Sequence, residues 1–447
     1  MKITTRQQFF TAFFAIILLM ASCKKESSVL DPDGDFVQNS TSDYDARVAQ
    51  TYMDEFLRMV KETPGWSPPV AARGFGYVGL ALYEATRPGI DGSHSMAGQL
   101  NELGSLPQVE ANEKYHWALC ASEAMFNMIL DLTPTCSADN LALLTGIYND
   151  FDAEFSNIPA DVYDRSVAFG QAIADAIFEY SKTDGGHECY ASNFPSDYIA
   201  PVGDGMWVPT PPGFTGALQP YWGTVRPFLA VNLTEAVAVP PYAYSTVPTS
   251  TMYRAAMEVY DYVENSTPEQ TAIALFWADD PGNTVTPPGH AISIAKQVID
   301  KENSNLAVAA ITYAKLGLSI NDAFIVCWNN KFIFNLIRPI SYINQVIDPA
   351  FSTIVGTPPF PEYTSGHSVN MGAFSYIMET TFGYDYAFTD DTHAGVHPAR
   401  SFSSFDDAAG EAAISRVYGG IHYTQACTQG IKMGHIVAKN IDALKWD

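Results

Sequence analysis

Residues 305–339, "NLAVAAITYAKLGLSINDAFIVCWNNKFIFNLIRP", contain the longest run of helically spaced apolar residues in the chain. The spacing predicts a helix over 305–334. Pro339 disfavours α geometry at Arg338, so the helix is expected to end there, where the negative end of its dipole suits a cation. Lys331 and Arg338 stand seven residues apart, about 700° of helical rotation, which would put both cations within about 20° of one face and about 10 Å apart along the axis. Their neighbours Phe332, Ile333, Phe334, Leu336 and Ile337 are apolar. This argues for a helix deep in a core rather than a solvated basic stripe. Two long cations held there could converge on one polyanion.

The same periodicity recurs on both sides of this segment, over 43–61, 70–87, 110–133, 138–155 and 160–181, then 252–263, 267–277, 289–302, 366–382 and 426–444. No alternating run of any length suggests strands, so the expected class is all-α. Between about 185 and 250 the texture changes to proline, glycine and aromatic residues, as in "MWVPTPPGFTGALQPYWGTVRPF". Such a stretch cannot be regular helix and is long for a loop. It either wraps the helical body or forms part of a substrate entrance.

With 447 residues, 47% of them hydrophobic, the chain can bury a large core. Its net charge of −25 argues against nucleic acid or anionic lipid as the main partner. Any anion site must therefore be a local basic pocket inside a negative shell. Residues 1–22, "MKITTRQQFFTAFFAIILLMAS", read as a secretory signal, and "LMASC" resembles a bacterial lipobox that would be cleaved before Cys23 and lipidated there. Residues 23–40 suit a polar tether. The expected mature protein is then a lipoprotein facing the periplasm or cell surface, touching the membrane only through its anchor. The remaining cysteines, Cys120, Cys136, Cys189, Cys327 and Cys427, are read as mostly buried thiols, with Cys120 and Cys136 the one pair worth testing.

Two further segments carry chemistry. In "PFPEYTSGHSVNMGAFSYIM", residues 359–378, the prolines hold an extended approach and "TSGHS" precedes a helical run. Ser365 and the Gly366 N–H at a helix start could donate to an oxyanion, with His367 beside it as an acid–base. In "ISRVYGGIHY", residues 414–423, Arg416 and His422 would lie on different faces of an unbroken helix. Gly419 and Gly420 can end the helix and turn the chain, which would aim both side chains at one point.

Lys-x6-Arg-Pro, then Ser-Gly-His, then Ser-Arg-x5-His, in that order, resembles the signature of the vanadium haloperoxidases and the type-2 phosphatidic acid phosphatases. Each pattern has three fixed letters drawn at about 5% each, so single matches mean little; three in order are specific. The resemblance covers residues 250–447 well. It implies one large helical-bundle domain over 41–447, with the active-site motifs within 328–422. It also implies that Lys331, Arg338, Arg416, Ser365 and Gly366 hold the oxygens of vanadate or phosphate, that His422 bonds the central atom, and that His367 is the acid–base. Thr364, where the family usually has proline, is a departure expected to loosen the turn slightly.

The cage supports two reactions. A phosphatase would use His422 as nucleophile through a phosphohistidine, with His367 protonating the leaving group. A haloperoxidase would keep vanadate on His422, use hydrogen peroxide, polarise bound peroxide with Lys331 and oxidise halide to hypohalous acid. Trp328 and Phe360 match aromatic positions lining the halide side in haloperoxidases. The chain resembles the bacterial secreted type, with iodide favoured, bromide possible and an organic acceptor open. In "FWADDPGNTVTPPGH", residues 276–290, Asp280 would be the carboxylate orienting Arg416. A binding lipoprotein without catalysis is the third reading, and the presence of all seven cage residues argues against it. His94, His116, His187, His290, His393, His397 and His435 show no ligand spacing, and His393 and His397 are expected at the surface near the pocket mouth.

Overall fold

Two close helix pairs organise the protein. A computed structural model describes residues 39–446, which belong to one compact unit; the signal segment, Cys23 and most of the tether lie outside the described residues. In chain order the helices are α1 (Arg47–Glu62), α2 (Pro68–Thr86), α3 (Trp117–Leu132), α4 (Ala138–Glu154) and α5 (Ala160–Ser181), then the single turn α6 (Asn232–Glu235). There follow α7 (Thr251–Glu264), α8 (Pro268–Phe276), α9 (Thr286–Lys301), α10 (Leu306–Phe334), α11 (Pro339–Val346) and α12 (Gly366–Phe382). A two-stranded antiparallel ribbon, β1 (Phe388–Asp390) with β2 (Arg400–Phe402), precedes α13 (Phe405–Tyr418) and α14 (Thr424–Asp442).

Helix α10 is long and apolar enough to cross a membrane, yet 89% of its most apolar window is buried inside the protein. It packs along α2 on one side and against α12 and α14 on the other. Helices α12 and α14 approach so closely that a Cβ on Gly434 would lie 2.2 Å from the Val369 carbonyl oxygen. Only glycine permits that separation. The pair therefore holds the start of α12, with Ser365 and Gly366, in a fixed place against the rest of the core.

Helix α10 fills the predicted 305–334 run, but two expectations about it are corrected. It ends at Phe334 and not at Arg338, because Asn335 takes a left-handed conformation (φ 45°) as its cap. Lys331 thus sits in the last helical turn while Arg338 lies beyond it and caps α11 from an extended backbone, so the two do not share one helix face. Helices α11 and α13 were not marked by apolar spacing. Cys120, Cys136, Cys189, Cys327 and Cys427 are free thiols and three of the five are buried, as expected. The 185–250 segment does wrap the body: Trp207 N–H donates to Asn335 O at 2.7 Å and Leu218 N–H to Pro359 O at 2.8 Å.

Candidate oxyanion site

Each motif residue reaches the site from a different element end. Ser365 is the N-cap of α12, its hydroxyl accepting from Ser368 N–H at 3.3 Å, and Gly366 and His367 open that helix. Their N–H groups belong to the first turn, which helix geometry leaves without backbone acceptors. Arg416 lies in the last turn of α13. Gly420 then adopts φ 84°, and the Ile421 and His422 N–H groups fold back onto the Arg416 carbonyl at 3.1 and 3.3 Å. That reversal brings His422 to the same cavity as Arg416 and His367.

Lys331, Arg338 and Arg416 are all at most 2% exposed. Lys331 Nζ donates to the carbonyls of Pro361 (2.9 Å) and Glu362 (3.1 Å). Arg338 donates to the carbonyls of Phe360 and Ile421, each at 2.8 Å, and from Nη1 to His422 Nε2 at 3.2 Å. Because a guanidinium only donates, His422 Nε2 must carry a lone pair, and its proton sits on Nδ1. Nδ1–H donates to Glu362 Oε1 at 2.8 Å, and the same oxygen accepts from Tyr423 N–H at 2.9 Å.

The charges fit this arrangement. Burial pushes Lys331 down to about 7 and Arg338 down to about 10, and it pushes the Glu362 carboxyl up to about 7. Burial, reinforced by Arg338, Lys331 and Arg416, holds His422 well below the usual imidazole range, so it is neutral at physiological pH. Burial and Arg416 do the same to His367. Arg416 Nε is a buried donor with no protein acceptor, and His367 Nε2 is likewise buried without a hydrogen bond. Three cations with a spare guanidinium donor, beside one neutral imidazole lone pair, form a donor set that fits a tetrahedral oxyanion accepting an axial nitrogen.

The cavity in front of these groups has a volume of about 430 Å³ and is lined by Trp328, Phe360, Phe324, Leu218, His367 and His422, among others. Trp328 and Phe360 pack with ring centroids 4.9 Å apart. Lys331 Nζ and the Arg338 guanidinium lie 4.8 and 4.9 Å from the Phe360 centroid, so one ring contacts both cations. Asn193, Phe194 and Leu218 bring the proline-rich segment to the cavity wall.

Lys331, Arg338 and Ser365 stand behind the cavity surface rather than on it. Asp280 is exposed on the cavity rim; it makes no ion pair with Arg416, whose Nη1 bonds the Trp277 carbonyl, but its charge, after that of Asp279, favours the Arg416 cation. The buried carboxylate is its neighbour Asp279, with Oδ2 3.9 Å from His367 Nε2. Thr364 is fully buried between Cys327 and Met433. Sequence reasoning missed Glu362, which lies inside the quoted motif but has no spacing that marks it. It also missed His290, which is wholly buried, and placed His393 at the surface, whereas it is 8% exposed.

Fold and site together define a helix-dominated protein with a buried cationic oxyanion cage. A family model of the VCPO second helical-bundle domain matches residues 346–444. A bacterial vanadium-dependent iodoperoxidase of known crystal structure is 35% identical, with a TM-score of 0.81 over 89% of this chain and 96% of its own. A bacterial vanadium-dependent chloroperoxidase, at 15% identity and a TM-score of 0.64, shares the fold over 85% of this chain and 92% of its own. The vanadium chloroperoxidase of Curvularia inaequalis is 25% identical over 376 residues, which span 69% of this chain and 60% of that protein's length. The chain belongs to the vanadium haloperoxidase family.

Proposed function

We propose that the protein binds vanadate and uses hydrogen peroxide to oxidise halide to hypohalous acid, iodide being preferred and bromide possible. The observation that carries this is the neutral His422 Nε2 lone pair held among three buried cations by the Glu362 carboxylate. Vanadate in such a cage supplies Lewis-acid activation of hydrogen peroxide toward two-electron oxidation of halide. His422 would hold the vanadium, Arg338, Arg416 and Lys331 the oxyanion charge, and Ser365 and the Gly366 N–H further oxygens.

His367, kept neutral by burial, would accept a proton of hydrogen peroxide and hold it as the general acid–base of the site. Lys331, desolvated and fixed by two carbonyls, has one N–H left over for the oxyanion and would withdraw electron density from it. Trp328 and Phe360 keep water off the halide's approach, which strengthens every charge interaction in the cage. That apolar wall favours halide oxidation over hydrolysis of a phosphate ester. Iodide is favoured because Phe360 stands where algal-type bromoperoxidases carry a second histidine, and because the 35% identical relative is an iodoperoxidase. The lipobox supports a lipoprotein anchored through Cys23.

The test assays triiodide formation from iodide and hydrogen peroxide, with apo protein before and after orthovanadate, beside hydrolysis of a phosphate ester. Vanadate-dependent triiodide formation is expected. Ester hydrolysis inhibited by vanadate, with no halide oxidation, would make the protein a phosphatase working through a phosphohistidine at His422.

A further inference from the structure

Besides His367, the Asp279 carboxylate meets two more histidines. His290 Nδ1 lies 3.0 Å from Asp279 Oδ2 and 3.1 Å from Oδ1, and His393 Nε2 lies 3.2 Å from Oδ1. One ligand atom from each of the three residues falls within 4.8 Å of the others. We propose that Asp279, His290 and His393 form a second, structural metal site for a divalent transition ion of the zinc class, distinct from the oxyanion cage.

Three observations point to a cation. First, His393 Nε2 is buried 3.2 Å from Asp279 Oδ1, yet makes no hydrogen bond, so its N–H direction lies off that oxygen. Nitrogen and oxygen are then set as two ligands of one ion: bonds of about 2.0–2.2 Å in tetrahedral geometry put ligand atoms roughly 3.3 Å apart. Second, the far nitrogen of His290, Nε2, donates to Asp390 Oδ2 at 2.8 Å. A carboxylate on the outer N–H is the usual support of a metal-binding imidazole. Third, His290 is held between the Asp279 and Asp390 carboxylates, both at most 2% exposed. A divalent ion in place of the His290 Nδ1 proton would keep those two negative charges balanced. On binding, the ion takes the His290 Nδ1 position facing Asp279, and the proton held there in the metal-free protein leaves to solvent.

Two nitrogens and one carboxylate suit zinc, cobalt or nickel rather than magnesium or calcium, which favour all-oxygen shells. Trp277 stacks on His290 at 4.5 Å and Phe276 meets His393 edge-on at 5.1 Å, so the site is walled by rings. An adjoining cavity of about 280 Å³, lined by Lys61, Asp280, His393 and His397 among others, offers a path in. The ion would tie α9 and the α8–α9 connection to the turn after β1, a link made otherwise only through side chains.

The experiment uses tag-free protein stripped with a chelator, dialysed against zinc or cobalt and analysed by plasma mass spectrometry. Wild type should retain one equivalent of zinc and give visible d–d absorption with cobalt. His393→Ala and the better space-filling His393→Gln should each retain under a tenth of an equivalent, while His397→Ala and His422→Ala keep theirs. Zinc should also raise the melting temperature of wild type and not of His393→Gln, with circular dichroism checking that each variant is folded. Wild type that retains no zinc, or a His393 variant that retains as much, would overturn the proposal. None of these readouts depends on halide oxidation, so the two functional proposals fail separately.

Discussion

Replacing Lys331 with methionine should change how stability depends on pH, by an amount the structure sets. In the vanadate-free protein, burial holds the Lys331 ammonium near pKa 7 against an ordinary 10.5. The folded-state value is depressed, so between 7 and 10.5 the unfolded chain binds the extra proton and wild-type stability rises with pH across that window. At 1.36 kcal/mol per pKa unit the penalty at pH 7 is about 4 kcal/mol, falling to about 1 kcal/mol at pH 10. Methionine carries no such penalty, though it strands the Pro361 and Glu362 carbonyls at about 1–3 kcal/mol each. Measured by urea unfolding of apo protein, the stability of the variant relative to wild type should therefore be highest at and below pH 7. That difference should shift by about 3 kcal/mol in favour of wild type by pH 10. Parallel stability curves for the two proteins would refute the claim that a desolvated ammonium is held in the cage. The same substitution should weaken vanadate binding.

Other consequences follow from the same contacts. Glu362→Met removes the acceptor of His422 Nδ1–H and Tyr423 N–H; vanadate affinity, by equilibrium titration, should fall about 10- to 100-fold. Phe360→Ala deletes the ring beneath Lys331 and Arg338 and beside Trp328, and should cost about 3–5 kcal/mol in urea unfolding while lowering halide turnover. Gly434→Ala would put a Cβ 2.2 Å from the Val369 oxygen. Forcing α12 and α14 apart should lower the melting temperature by several degrees, for a cost of about 1–3 kcal/mol.

Much of the site was legible because its residues stand at the ends of helices, where sequence signals are strongest. Ser365 before a helical run marked the α12 cap, and the Gly419–Gly420 pair marked the end of α13 and the turn that returns His422. The body of α13, "FDDAAGEAAISRVY", was not legible because its small residues are buried on several faces and leave no apolar stripe. Helix α11 is only eight residues long, too few for a period to show. The joint placement of Lys331 and Arg338 on one helix failed at Asn335, whose left-handed backbone ends α10 early; the two still meet, because Phe360 lies between them. Glu362 and the Asp279–His290–His393 group were invisible for another reason. Sixty residues separate Glu362 from His422 and a hundred separate His290 from Asp390, and only the packing of α9, α12 and α13 brings such positions together.

The most direct measurement is equilibrium dialysis of apo protein against orthovanadate, with bound vanadium counted per chain in wild type and in His422→Ala. One vanadium per wild-type chain and a large loss of affinity in the variant, with its fold intact, are expected if the Nε2 lone pair is the protein's bond to the metal. Equal binding by both proteins would contradict that assignment and leave the three cations as a general anion trap.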